Sequence, residues 1–378
     1  MTTMTFTTLA LIGLVGLVGP LLATPRHWRV PVVLGELLAG VVFGATGFRV
    51  LDATDPTFAF LADIGFALTM FVAGTHVPVR DSAVRSALGK GAVRAAIVGV
   101  LAAAVGFGLA ASFDTGHAAI YAVLLTSSSA ALVLPTIDSL GLRGTSVLEL
   151  TAQVAIADTV CIVALPLVID TADAGRAAVG ALLVSVCAAG LFVGLRQLER
   201  SGLRKRVHSL SEDRDFAIEL RVSLATLFAL AAVATSSHVS IMLAGFALGL
   251  AVSGVGEPRR VAKQLFAIND GFLGPIFFVW LGSRIDLREL VHHPSFIGLG
   301  LALGFGAALV HVAMRVLGQP VALGAVSAAQ LGVPIAAVTV GEQLHVLAPG
   351  ESSAIVLGAL VTIVLATFGG ARAAKSSR

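Results

Sequence analysis

The sequence predicts an all-α polytopic membrane protein of about thirteen transmembrane helices, arranged as two inverted repeats. Three observations predict it: an apolar composition, a one-sided distribution of basic residues, and motifs that recur half a chain apart. Of the 378 residues 57% are hydrophobic and 12% charged, about half the charged share of a soluble domain. No basic patch interleaved with aromatics is present, so nucleic acid is not an expected partner. The sequence holds no HExxH, no GxSxG and no cysteine–histidine pairing, so neither an enzyme nor a cofactor is expected. Cys161 and Cys187 fall inside apolar runs and read as small buried hydrophobes.

At about 17–25 residues per crossing, spans are expected near 5–24, 30–47, 57–77, 91–112, 117–139, 148–169, 175–195, 215–235, 239–254, 265–283, 295–317, 321–344 and 351–371. The first has its basic residues after the apolar run rather than before it, the wrong polarity for a cleaved signal peptide, and is expected to remain as a span. The long apolar block from Ser295 to Gly341 is divided at Gly318-Gln319-Pro320, its strongest turn signal.

An odd number of spans puts the termini on opposite sides. Eighteen of the 25 Lys+Arg, among them Arg26, Arg29, Arg80, Arg196, Arg200, Arg204, Lys205 and Arg206, then share the side of the C-terminus. Only Arg49, Arg176, Arg284 and Arg288 face the other. The positive-inside rule therefore predicts a cytoplasmic C-terminus and an external N-terminus. Leu38-Ala39-Gly40-x-x-x-Gly44 recurs as Leu243-Ala244-Gly245-x-x-x-Gly249, and Gly65-Phe66 as Gly271-Phe272. Seven spans separate the copies, so they run in opposite senses, as in secondary transporters. Small-xxx-small pairs also serve as ordinary helix-packing devices.

Chemistry concentrates in three segments. Asp158 is the one charge in the apolar stretch Leu150–Ile169, close to its middle. A charge at bilayer mid-depth costs about 2.5–3.5 kcal/mol, so such a residue reads as an ion or proton site. A lone carboxylate takes a proton or a monovalent cation, not both tightly, which sets the two in competition. In span 5, Thr126-Ser127-Ser128-Ser129 lie mid-span and are followed by Pro135. Proline frees a carbonyl one turn back, so a helix break offering oxygen ligands is expected there; helix packing through small hydroxyls is the alternative. At the matching place in span 12, Gly332-Val333-Pro334 reads as a second break. Arg315 in span 11 either snorkels to the interface or serves as a permanent positive partner of the core. Glu36, Asp63, Asp138, Glu149, Asp270, Glu342 and His345 lie mostly near span ends. Glu342 and His345 line an outer vestibule or sit at the interface.

With these residues laid out, nearly the whole chain, about residues 8–370, resembles the cation:proton antiporter-2 family, the bacterial sodium/proton and Kef-type potassium/proton antiporters. The stretch Pro31–Gly44 resembles the family's second-span signature, and Ala62–Gly74 its third span. Pro275-Ile276-Phe277-Phe278-Val279-Trp280-Leu281-Gly282 resembles its double-phenylalanine segment. The resemblance implies a dimerisation panel (about 5–77 and 215–283), a mobile core (about 91–169 and 295–371) whose two broken helices cross, and a linker helix (about 175–195). It places the family's ion-binding aspartate on Asp158 and its basic residue on Arg315. It further implies a homodimer in a bacterial plasma membrane that exchanges Na⁺ or K⁺, held transiently at Asp158, for H⁺ by alternating access.

This chain departs from the family at Ala157, where a polar or acidic residue is usual, and around Thr75-His76, where the third span commonly ends in an acid. Span 12 reads Gln330-Leu331-Gly332-Val333 rather than Gln-Gly-Gly-Glu. A single carboxylate implies one-for-one exchange. No nucleotide-binding domain is expected after span 13. Two rival expectations are a transporter of a small organic solute on the same fold and a non-transporting membrane sensor.

Overall fold

Long apolar runs leave the helix as the economical way to satisfy backbone groups in hydrocarbon, and the regular elements among the described residues are all helical. The computed structural model describes residues 4–24, 31–77, 82–169, 174–202, 216–237, 239–256 and 259–376. Arg26, Arg29, Arg80, Arg204, Lys205, Arg206, Arg214 and Arg378, which contribute to the charge asymmetry, lie outside them.

The helices in chain order are α1 (Phe6–Gly16), α2 (Val18–Ala23), α3 (Val32–Phe43), α4 (Pro56–His76), α5 (Ser82–Phe113), α6 (Ala118–Thr126), α7 (Ala130–Ser139), α8 (Thr145–Ile169) and α9 (Ala174–Arg200). They continue with α10 (Ile218–Ser236), α11 (Ile241–Val255), α12 (Arg259–Ile268), α13 (Gly274–Arg284), α14 (Leu287–His292), α15 (Pro294–Val312), α16 (Val321–Ser327), α17 (Gly332–Gln343) and α18 (Glu351–Ser376). A π-helical turn, Asn269–Leu273, joins α12 to α13, and a 3₁₀ turn, Ala313–Leu317, ends α15. Among the described residues, eleven helical segments are long and apolar enough to cross a membrane, with α3 and α11 as two shorter apolar helices. Large apolar side chains such as Phe107 and Phe368 stand about 70% exposed, as a lipid-facing surface requires and a water-facing one avoids.

Two groups of helices pack tightly. In one, α3 lies against α13 and α4 against α11. Of the recurrent glycines, Gly40, Gly44, Gly245 and Gly249 sit at these seams, whereas Gly271 is exposed in the π-helical turn with open space around it. A Cβ on Gly40 would meet the Val279 carbonyl oxygen at 2.3 Å, and one on Gly245 would meet that of Ala67 at 2.3 Å. Only glycine allows such backbone approach. The second group joins α5, α6 and α8 on one side to α15, α16 and α18 on the other. Helix α9 packs on α8, α10 and α11 and so runs between the groups.

Candidate functional site

Span 5 is interrupted as expected, but not by its proline. Helix α6 ends at Thr126, Ser127–Ser129 are extended, and α7 restarts at Ala130 and runs through Pro135. The expectation that Pro135 marks the break is thus corrected: it sits six residues after Ser129, inside α7, on an exposed position. What holds the chain open is tertiary. The Ser129 N–H donates to the Ala329 carbonyl at 2.7 Å, and the Ser128 hydroxyl to the Ser327 carbonyl at 2.5 Å. Those acceptors lie at the second interruption, Ala328–Leu331, between α16 and α17: Ala329 within it and Ser327 at the end of α16. There Gly332 opens α17 and Pro334 lies in its first turn, where a missing N–H breaks no intrahelical bond. The two interrupted helices therefore meet at their breaks.

Asp158 lies at this meeting point. Its Oδ2 accepts from the Ala130 N–H at 2.9 Å, and the residue is only 5% exposed. The carboxylate faces the positive end of α7, the favourable end of a helix dipole for an anion. No ion pair joins it to a cationic side chain among the described residues. Of the four expected oxygen ligands, Thr126 donates its hydroxyl back to the Ala122 carbonyl at 2.7 Å, and Ser127 to that of Leu124 at 2.8 Å. A hydroxyl that donates keeps lone pairs with which to accept or coordinate, so these bonds orient the oxygens without consuming them. Ser129 caps α7 without a side-chain bond.

Arg315 is not brought to the crossing. It is exposed in the 3₁₀ turn and has no ion pair among the described residues. The tighter 3₁₀ winding turns it off the stripe that α15 presents inward. His311, one turn earlier, occupies that stripe instead. It is fully buried, its ring faces the freed backbone of Leu125, Thr126 and Ser127, and its Nδ1 lies 3.2 Å from the Ser327 hydroxyl. A donor there complements the negative end of α6. Sequence reasoning passed over His311, although a lone polar residue inside an apolar span is the signal that marked Asp158.

Two further residues belong to the crossing. The Gln330 N–H donates to the Thr362 hydroxyl at 3.1 Å, so α18 supports the second break as α8 supports the first. On one flank, Arg94 pairs with Glu149 at 2.8 Å and donates to the Leu317 carbonyl at 3.1 Å, while Gln319 donates to Gln153 at 3.1 Å. On the opposite flank, Glu351 is fully buried and accepts from the Tyr121 hydroxyl at 2.6 Å, with His117 Nδ1 2.7 Å away. Glu342 pairs with Arg284 at an exposed helix end, an interfacial place rather than part of the crossing.

Comparison with other proteins gives this fold a family. Residues 11–375 match the family model described as sodium/hydrogen exchanger, transmembrane. The chain belongs to this family. Sodium/hydrogen exchanger relatives include the putative Na⁺/H⁺ antiporter YjbQ of Bacillus subtilis, 24% identical over 359 residues, 89% of this chain and 58% of that protein. Another is the glutathione-regulated potassium-efflux system protein KefC of Enterobacter sp., 28% identical over 290 residues, 72% of this chain and 44% of that protein. The chain thus spans about half the length of these relatives. In fold it matches the sodium proton antiporter MjNhaP1 from Methanocaldococcus jannaschii, with a TM-score of 0.65, 15% identity and 98% of each chain covered. The protein is a multi-pass membrane protein.

Proposed function

We propose that the chain is a monovalent cation/proton antiporter in which Asp158 carries Na⁺ or K⁺ in one direction and H⁺ in the other. The observation that supports it most is the position of that carboxylate: buried, between two helix breaks, held by a backbone N–H and by no cationic side chain among the described residues. Coupling follows from cost. An ionised, unloaded Asp158 carried through mid-membrane is disfavoured by about 2.5–3.5 kcal/mol, which slows the empty crossing by about two orders of magnitude. A bound proton or a bound cation removes that charge, so each loaded form crosses and the bare form does not. Oxygens of Thr126, Ser127, Ser128 and Ser129 complete the cation's shell, and His311 steadies the carbonyl end of α6.

In this reading α5–α8 and α15–α18 form a core that moves like an elevator against a panel made of α1–α4 and α10–α13, with α9 as the linker. The panel faces a second copy in a homodimer. The assembly sits in a bacterial plasma membrane with the C-terminus inside, and one acid sets one-for-one exchange. Asp158→Asn in proteoliposomes tests the proposal: Na⁺- and K⁺-dependent dissipation of an imposed proton gradient should fall to the level of empty vesicles, with the purified protein's melting temperature preserved. Undiminished flux would overturn the assignment.

A further inference from the structure

Helix α9 packs on α8, α10 and α11 but leaves a gap on each of two faces, and one of the two gaps is shaped and charged for a particular guest. Between α8, α9 and α11 runs a cleft of about 950 Å³. Its walls are largely apolar and built from small residues, among them Ala188, Ala247 and Ala251. At the end where α9 terminates, Arg196 and Arg200 line the mouth together with Glu199, and the Arg196 guanidinium lies 6.0 Å from the Phe192 ring centre. At the other end the cleft reaches Ser185 on α9 and Thr159 on α8, the residue beside Asp158. The stretch of α9 from Ser185 to Arg200 rises about 22 Å. One leaflet with its headgroups is about 20–22 Å deep. The cleft therefore extends from mid-bilayer to the headgroup layer, apolar along its length and arginine-bearing at its mouth.

We propose that this cleft seats one anionic phospholipid, its phosphate at Arg196 and Arg200 and an acyl chain lying between α8, α9 and α11. Basic pockets between transmembrane helices take anionic headgroups in this way, and arginine's planar donors suit a phosphate. The gap on the other face of α9 provides a contrast. It holds about 1050 Å³ between α9, α10 and α11, and its described lining includes Glu219 but no arginine or lysine. Among the described residues, charge thus singles out the first cleft. A lipid seated there lies against α8, the helix that carries Asp158, and against α11 of the proposed panel. Its occupancy therefore bears on how freely the two parts slide.

The full chain, reconstituted in vesicles of phosphatidylcholine and phosphatidylglycerol at a 4:1 ratio and re-extracted in mild detergent, tests this by native mass spectrometry. The expected result is one retained phosphatidylglycerol per chain, with phosphatidylcholine washed away. Arg196→Gln with Arg200→Gln, both exposed and so neutral for folding, should weaken retention about 30-fold. Ala247→Phe should expel the lipid with both arginines in place, whereas Lys375→Gln, exposed at the far end of α18, should keep it. Retention by the double arginine variant, equal loss in Lys375→Gln, equal retention of phosphatidylcholine, or displacement by inorganic phosphate would each overturn the proposal. The readout is lipid mass, so a failure here is distinct from a failure of the antiport reading, on which this inference does not rest.

Discussion

The break between α6 and α7 is built from three serines, Ser127–Ser129, with Asp158 across from it, whereas the one between α16 and α17 reads Ala328-Ala329-Gln330-Leu331 and faces Thr362. The two are alike in architecture. In each, a half-helix starts at mid-span, and the first free N–H of the restart region bonds to an oxygen from a neighbouring long helix, at 2.9 Å in the first and 3.1 Å in the second. They differ in chemistry. The first presents hydroxyls and a carboxylate, while the second gives mainly backbone: the Ser327 and Ala329 carbonyls accept from Ser128 and Ser129. In the proposed reading one break holds the ion, and the other holds the first break open. A buried neutral hydroxyl satisfies an orphaned N–H as well as a carboxylate does, and without the cost of a charge in hydrocarbon. The acid at the first break is therefore not explained by helix capping alone.

The largest expected effect breaks the comparison at that point. Asp158→Asn, which keeps a carbonyl oxygen for Ala130, should remove cation-driven proton flux altogether. Thr362→Val, its counterpart at the second break, should leave flux within about twofold. That variant strands the buried Gln330 N–H instead, at a cost of about 1–3 kcal/mol in stability, measurable as a lower melting temperature. If Thr362→Val abolished flux as fully as Asp158→Asn, the division of labour would be wrong. Next in size, Ser128→Ala removes both an oxygen and the tie to Ser327. A loss of about 1–1.5 kcal/mol corresponds to an apparent cation KM raised about 5–12-fold, read from concentration series in proteoliposomes. Smallest of all, Pro135→Ala should leave transport unchanged, because the interruption stands without it; a collapse of activity would restore the proline as the cause.

Asp158 was legible in the sequence because its cost is local: one acid in twenty apolar residues needs no partner to be conspicuous. The spans and the glycine seams were legible for the same reason, since length, hydropathy and small-residue spacing are properties of single segments. The break's exact place was not. Proline draws attention to itself, but α7 tolerates Pro135 and the chain opens where Ser128 and Ser129 find carbonyls about 200 residues away. Arg315 and His311 teach a related lesson. Both lie on one span, and only the change from α to 3₁₀ winding after Val312 decides which of them faces inward. Glu351 was not singled out from the sequence; its partners, Tyr121 and His117, come from the other half of the chain.

That last contact bears on how the protein is made. Helix α6 has nine residues and α7 ten, each too short to persist alone. The bonds that fix α6 and its break come from Glu351 and from the Ser327–Ala329 stretch. Thr362, which supports the second break, comes later still. During synthesis the segment around Thr126–Ser129 enters the membrane long before any of these partners exists. The proposed ion site is consequently complete only once α18 docks. A nascent chain halted before Glu351 would contain every hydroxyl and the acid, yet would lack the contacts that turn them into a site.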